Sequence, residues 1–247
     1  MSLLAELKRR NVLRAAAFDW KRQTDRIAGP VDKTEWGMTP PTVNAYNWFN
    51  KNQIVFPAGI LQPPYFDVNA DMAVNYGSMG ATIGHEISHG FDDQGRKYDA
   101  TGAIRDWWTE KDAAAYEIEA RKMVAQFDAF EPLPGVHING ELTLGENIAD
   151  VAGLQASYDA YRASLNGREA PVIDGLTGDQ RFFIAFAQSW KMKMRDEEMR
   201  QRIATDGHAP DQWRVYTVRN IDAWYAAFDV QPTDALYLAP EARVHVW

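Results

Sequence analysis

A mainly helical α+β fold with one small sheet is what this sequence predicts. Long stretches carry apolar residues at helical spacing, one pair of short β-prone runs flanks a polar turn, and no internal repeat interrupts them. The 247 residues are 46% hydrophobic and 24% charged, the composition of a globular domain able to bury its own core. Net charge is −8 with both signs interspersed, and no Lys/Arg cluster offers a stripe for a phosphate backbone, so nucleic acid is not an expected partner. There is no cysteine. Disulfides and thiolate metal sites are therefore excluded, and any metal must be held by imidazole and carboxylate. No apolar run approaches the ~20 residues that span a bilayer, and no membrane contact is expected from this segment.

Leu3, Leu4, Leu7, Leu13, Ala16, Ala17 and Trp20 recur at roughly helical spacing and predict an amphipathic helix within residues 1–28, too charged to be a signal peptide. Prolines and glycines make residues 29–41 a connecting loop. Thr42 to Tyr46 and Gln53 to Phe56 read as a hairpin around a polar turn. A helical pattern runs from Ala70 to about Phe91 with a possible break near Tyr76. Its Gly77, Gly80 and Gly84 cost helix propensity and imply that something packs close to that backbone. Further helices are predicted over about 109–130, 145–164, 177–203 and 211–228. The whole of residues 1–247 is expected to form a single domain.

His85-Glu86-Ile87-Ser88-His89 matches H-E-x-x-H. On a helix, positions i and i+4 share a face, so both imidazoles can reach one ion while Glu86 turns toward water bound to it. A zinc ion with an open position acidifies such a water. A third ligand is required. The longer motif with glycine and a third histidine is ruled out, because Asp92 and Gly95 stand at those positions. Glu146 and Asp150, again i and i+4 on a predicted helix, are the better source: one carboxylate can ligate while the other accepts a hydrogen bond from a ligating imidazole.

The segments GHEISHGFDDQGRKYDATG, LTLGENIADVAGL, VNAYNWFNKNQIVFPAGILQPPYFD and FAQSW resemble the C-terminal catalytic region of the neprilysin and endothelin-converting enzyme family, and the similarity runs from about Pro30 to Trp247. The resemblance implies a thermolysin-like zinc metallopeptidase domain with a small sheet edging the cleft. It implies one zinc held by His85, His89 and Glu146, with Glu86 as general base and Asp150 orienting a ligating histidine, His85. Asn44-Ala45 would bind the substrate backbone, His208 would stabilise the oxyanion and Arg214 would hold a substrate carbonyl. The pocket for the residue after the scissile bond would be walled by Ile60, Tyr65, Ala81, Thr82, Ser189 and Trp190 and would favour a hydrophobic side chain. His137 and His245 stand in no motif and are taken as structural or exposed.

Animal relatives carry cysteines in this region, so a bacterial-type member is implied. The family's N-terminal lid domain, which closes over the site, has no counterpart here; of the two readings, a naturally short protein or the catalytic part of a longer one, the second is expected. The expected partners are peptide substrates and that lid. The resemblance favours a periplasmic or extracellular compartment and leaves the cytoplasm open. Two other readings stand beside hydrolysis of small peptides: a non-catalytic zinc-containing peptide-binding domain, which retention of Glu86 argues against, and a structural helical domain whose HEISH is accidental. Taken alone, His208 reads as a loop histidine and Arg214 as an ordinary helix-surface arginine.

Overall fold

The computed structural model describes residues 3–246 and divides the chain into two compact units, Met1–Gly37 and Met38–Trp247. Met1, Ser2 and Trp247, the outer ends of the sequence-predicted helix and of the family-like stretch, lie outside the described residues. In the first unit, helix α1 (Leu3–Asp25) is laced by ion pairs from Glu6 to Arg9 and Arg10 and from Lys21 to Asp25. Its apolar residues do not form the covered face expected of an amphipathic helix: Leu4, Leu7, Leu13 and Trp20 are all exposed.

The second unit opens with the hairpin. Strands β1 (Tyr46–Trp48) and β2 (Gln53–Val55) pair antiparallel with Tyr46 opposite Val55. The first strand lies further along the chain than expected. Thr42 to Ala45 stay outside the ladder, and the turn shortens to a 3-10 turn closed by Asn52 at φ 47°. A left-handed residue here is well served by Asn, whose short polar side chain tolerates that region.

The helical run after Asp71 is continuous but changes pitch. Helix α2 (Met72–Asn75), capped by the Asp71 carboxylate, passes into a π turn over Tyr76–Gly80 and then into α3 (Ala81–Ser88). The three glycines sit where neighbours touch the backbone. A Cβ on Gly77 would lie 2.0 Å from the Phe182 carbonyl oxygen, and one on Gly84 2.5 Å from that of Gly153. Helix α4 (Glu110–Asp128) starts at a Thr109 cap, and α5 (Leu144–Ser164) carries Glu146 in its first turn.

Helix α5 is the centre of the unit. Its Ile148 and Val151 join Met123 and Phe127 of α4 in one core. Its Leu154 and Tyr161 join the buried Phe182, Phe183 and Phe186 of α6 (Gly178–Ser189) in another. Each of these aliphatic, Met and Phe side chains stabilises the fold by roughly 1.5–3 kcal/mol on burial.

The helix expected over 177–203 is broken. Helix α6 ends at Ser189, and α7 (Asp196–Thr205) begins only after Arg195. No Gly or Pro marks the gap; instead the Trp190 ring is anchored beside Phe186 and beneath the Arg214 guanidinium, 4.0 Å from its centroid. Tertiary anchoring overrides propensity here, although three acids at 196–198 do signal a new helix start. The helix expected over 211–228 is split likewise. Helix α8 (Asp211–Val215) runs into a 3-10 turn, and α9 (Asp222–Phe228) starts after the extended, buried Ile221.

Candidate active site

Two facing glycines set the geometry of the site. Helices normally pack with axes ~8–10 Å apart. Where α3 crosses α5, a Cβ on Gly153 would lie only 2.2 Å from the backbone nitrogen of His85. That closeness lets side chains from the two helices converge. One ligand atom each from His85, His89 and Glu146 lies within 4.8 Å of the others. His85 Nε2 is 3.2 Å from Glu146 Oε2 and His89 Nε2 is 3.5 Å from Glu146 Oε1. Tetrahedral zinc with bonds of ~2.0–2.1 Å needs ligand atoms roughly 3.3 Å apart, so the donor set fits that ion in both chemistry and spacing.

Each imidazole also has a carboxylate behind it. Asp150 Oδ1 is 2.8 Å from His85 Nδ1, and Asp92 Oδ2 is 2.7 Å from His89 Nδ1. Such partners fix which ring nitrogen faces the ion. The sequence alone does not single out Asp92, whose position serves there only to reject the longer motif. The available signal is an acid three residues after His89. Asp92 is 2% exposed, and its other oxygen accepts the backbone N–H groups of Gln94 and Gly95 at 2.8 and 2.7 Å.

Arg214 departs from the surface arginine that the sequence suggests. It is 4% exposed and forks onto Asp150, with Nε and Nη2 each donating at 2.8 Å, while Nη2 also reaches Glu146 Oε2 at 3.4 Å. Burial pushes the Asp150 carboxyl up, but the Arg214 charge and fork outweigh it and hold it below its ordinary value. Burial likewise opposes ionisation of Glu146, and hydrogen bonds from His208 and His85 carry it well below the usual range. Burial pulls His85 down, yet Asp150 and Glu146 raise it to about 10. The carboxylates therefore hold positive charge strongly at this point, whether as a proton or as a metal ion.

Glu86 behaves differently. It is 5% exposed, its Oε2 has no protein hydrogen-bond partner, and burial raises its carboxyl above the ordinary value despite the two histidines. A carboxylate so placed is suited to take a proton. Its backbone oxygen accepts the Asn47 side-chain amide at 2.7 Å, which ties β1 to α3. His208 is half-exposed on the loop after α7. Asp206 Oδ1 is 2.7 Å from its Nδ1, and its Nε2 points to Glu146 Oε2 at 3.2 Å. The bond to Glu146 raises the His208 pKa.

His85, Glu86, His89, Glu146, Asp150, His208 and Arg214 open on one cleft of about 360 Å³. Asn44 and Ala45 line it from the chain entering β1, and Ile60 and Tyr65 from the segment after β2. Ala81 and Thr82 of α3 line it too, with Ser189 and Trp190 at the end of α6. The sequence-predicted site residues are therefore brought together. His137 and His245 lie on the surface, away from this cleft.

A family model, "Peptidase family M13", matches residues 44–244. Neprilysin-3 of Drosophila melanogaster is 40% identical over 242 residues, covering 96% of this chain and 30% of its own length. Human neprilysin is 40% identical over 244 residues, with 96% of this chain and 32% of its own length covered. Among solved structures, zinc metalloprotease Zmp1 of Mycobacterium tuberculosis in complex with an inhibitor is 51% identical with a TM-score of 0.93, covering 96% of this chain and 37% of that one. PepO of Lactobacillus rhamnosis is 45% identical with a TM-score of 0.79, over 88% and 33%. The chain thus spans about a third of the length of the relatives it matches. On this matched region and these relatives, the chain belongs to peptidase family M13.

Proposed function

We propose that this chain is the zinc-binding catalytic part of an endopeptidase that cleaves small peptides and favours a hydrophobic residue after the scissile bond. The carrying observation is the His85, His89 and Glu146 triad with the buried, partnerless Glu86 carboxylate oxygen beside it. One zinc per chain, held by these three side chains, would supply a Lewis acid for the scissile carbonyl and an acidified water. Glu86 takes the proton of the attacking water and returns it to the leaving amine. His208 Nε2, oriented by Asp206, donates to the carbonyl oxygen as negative charge develops there. Asp150 orients His85, and Arg214 both braces Asp150 and offers its cleft face to a substrate carbonyl. Asn44 and Ala45 present backbone groups to an extended peptide beside the sheet. Ile60, Tyr65 and Trp190 form the apolar pocket wall, with Ala81, Thr82 and Ser189 leaving it roomy.

The matched relatives are about three times as long, which supports a further lid region as a partner of this chain. No described helix is long and apolar enough to cross a membrane. The family resemblance favours a periplasmic or extracellular site of action.

Metal analysis combined with Glu86→Gln tests the proposal. The variant should keep zinc and lose turnover of a short peptide, since an amide cannot accept the proton. Equal cleavage by the variant and the parent chain would remove Glu86 as base. Zinc without turnover even in the full-length protein would favour the peptide-binding alternative.

A further inference from the structure

The loop that carries His208 has no regular structure of its own. It leaves α7 at Asp206 and enters α8 at Asp211, and both its ends are carboxylates. Asp206 Oδ1 is 2.7 Å from His208 Nδ1 and also accepts the His208 backbone N–H at 2.9 Å. Asp211 is 7% exposed and opens the short helix whose next turn holds Arg214. Between these two acids stands one guanidinium. Arg202, in the last turn of α7, donates from Nη1 to Asp211 Oδ2 at 3.0 Å, and its Nε stands 3.6 Å from Asp206 Oδ2, an ion pair without a hydrogen bond. Its backbone oxygen also accepts the Asp206 N–H at 2.8 Å.

We propose that Arg202 is a positioning residue for His208: by clamping both ends of the Asp206–Asp211 loop it fixes where the His208 ring stands in the cleft. The proposal rests on the peptidase reading of the site, and Arg202 itself touches neither substrate nor metal ligand. A planar guanidinium can serve two carboxylates at fixed angles, which a lysine ammonium cannot do in the same way. The pair with Asp206 is partly solvated, so its direct worth to stability is small. Its effect belongs to geometry, because a donor to a developing oxyanion must stand within about 2.7–3.1 Å of it. A loop free to drift by an ångström misses that window.

The test uses the full 247-residue chain, zinc-loaded and labelled with 15N-histidine, as the parent and as Arg202→Met, Arg202→Gln and Arg202→Lys. His208→Phe assigns the ring signals. In the parent, the His208 Nδ1 proton, held by Asp206, should give a resolved downfield resonance. In Arg202→Met and Arg202→Gln it should broaden into exchange with water, while Arg202→Lys falls between. Peptide turnover should fall about tenfold in kcat with KM within twofold, a smaller loss than the ~10²–10³ for deleting an oxyanion donor. Circular dichroism and zinc content should stay those of the parent. The proposal is overturned if the Nδ1 resonance and kcat are unchanged in whichever of the Met and Gln variants folds, or if KM alone moves. If neither the parent nor the full-length protein shows zinc-dependent turnover, the peptidase reading fails, and the ring resonance still decides whether Arg202 holds His208.

Discussion

Gly153→Ala adds one methyl group at the crossing of α3 and α5, and the structure gives the size of the clash. The new Cβ would lie 2.2 Å from the His85 nitrogen and 2.7 Å from both His85 Cα and the Gly84 carbonyl carbon. The nearest approach is at least 1.2 Å short of the 3.4 Å at which ordinary contact begins. All three atoms are backbone, so no side chain can swing aside. The helices must separate, and the atom pushed hardest belongs to a proposed zinc ligand. Metal sites tolerate displacements of only ~0.2 Å. Zinc affinity should therefore fall by more than the ~10–100-fold typical of losing an outer-shell partner. Overpacking of this kind costs roughly 1–3 kcal/mol, which in a unit of this size lowers Tm by ~2–4 °C per kcal/mol. The assay pairs thermal unfolding of the zinc-free proteins with a competition titration against a chromophoric chelator. Gly90→Ala is the control, because a Cβ there meets nothing within 4 Å although His89 is its neighbour in sequence. A Gly153→Ala protein that binds zinc as tightly as the parent and melts within a degree of it would refute the claim that the glycine pair sets the metal geometry.

Three further outcomes are expected. Glu146→Ala should strip the chain's zinc, measured by elemental analysis, and full retention would point to a different third ligand. His208→Phe should lower kcat by roughly 10²–10³ with little change in KM, as for loss of an oxyanion donor; a change confined to KM would make His208 a ground-state binding residue. Peptide-library profiling should show a preference for Phe or Leu after the scissile bond, relaxed in stringency because a missing methylene in a pocket shifts selectivity by only ~1–3 kcal/mol. A preference for acidic residues at that position would contradict the pocket assignment.

The site is legible in the sequence because its chemistry is written locally. His85 and His89 on one turn, and Glu146 and Asp150 on another, declare a shared face by spacing alone. The glycines of α3 also signal close packing, though not which backbone they meet. The parts that stay hidden depend on contacts distant in sequence. Arg214 looks solvated until Asp150, on another helix, is placed beneath its fork. The break after Ser189 carries no Gly or Pro because its cause is the ring of Trp190 under Arg214. The first strand starts later than its β-prone residues suggest, because Asn44 and Ala45 line the cleft instead of joining the ladder. The exposed apolar residues of α1 have no counterpart in the periodicity argument, which assumes a face to be covered.

The π turn at Tyr76–Gly80 has a consequence for chain length. An α-helix advances 100° per residue, and a π turn accommodates one residue more than the α-helical path. Upstream of it Ala73 packs into the core with Phe182 and Phe183; downstream, Gly84 meets Gly153 of α5. The turn thus absorbs an extra residue between these two contacts, so that the segments on either side keep their places on one helical path. Deleting one residue from this turn would let it relax to regular pitch with little rotation of what lies beyond; deleting a second would leave no slack and rotate everything beyond by about 100°. His85 and His89 would then point away from Glu146 while the sequence HEISH remained intact. The motif in this chain is a statement about angle as much as spacing, and the slack in that angle lies five to nine residues before it begins.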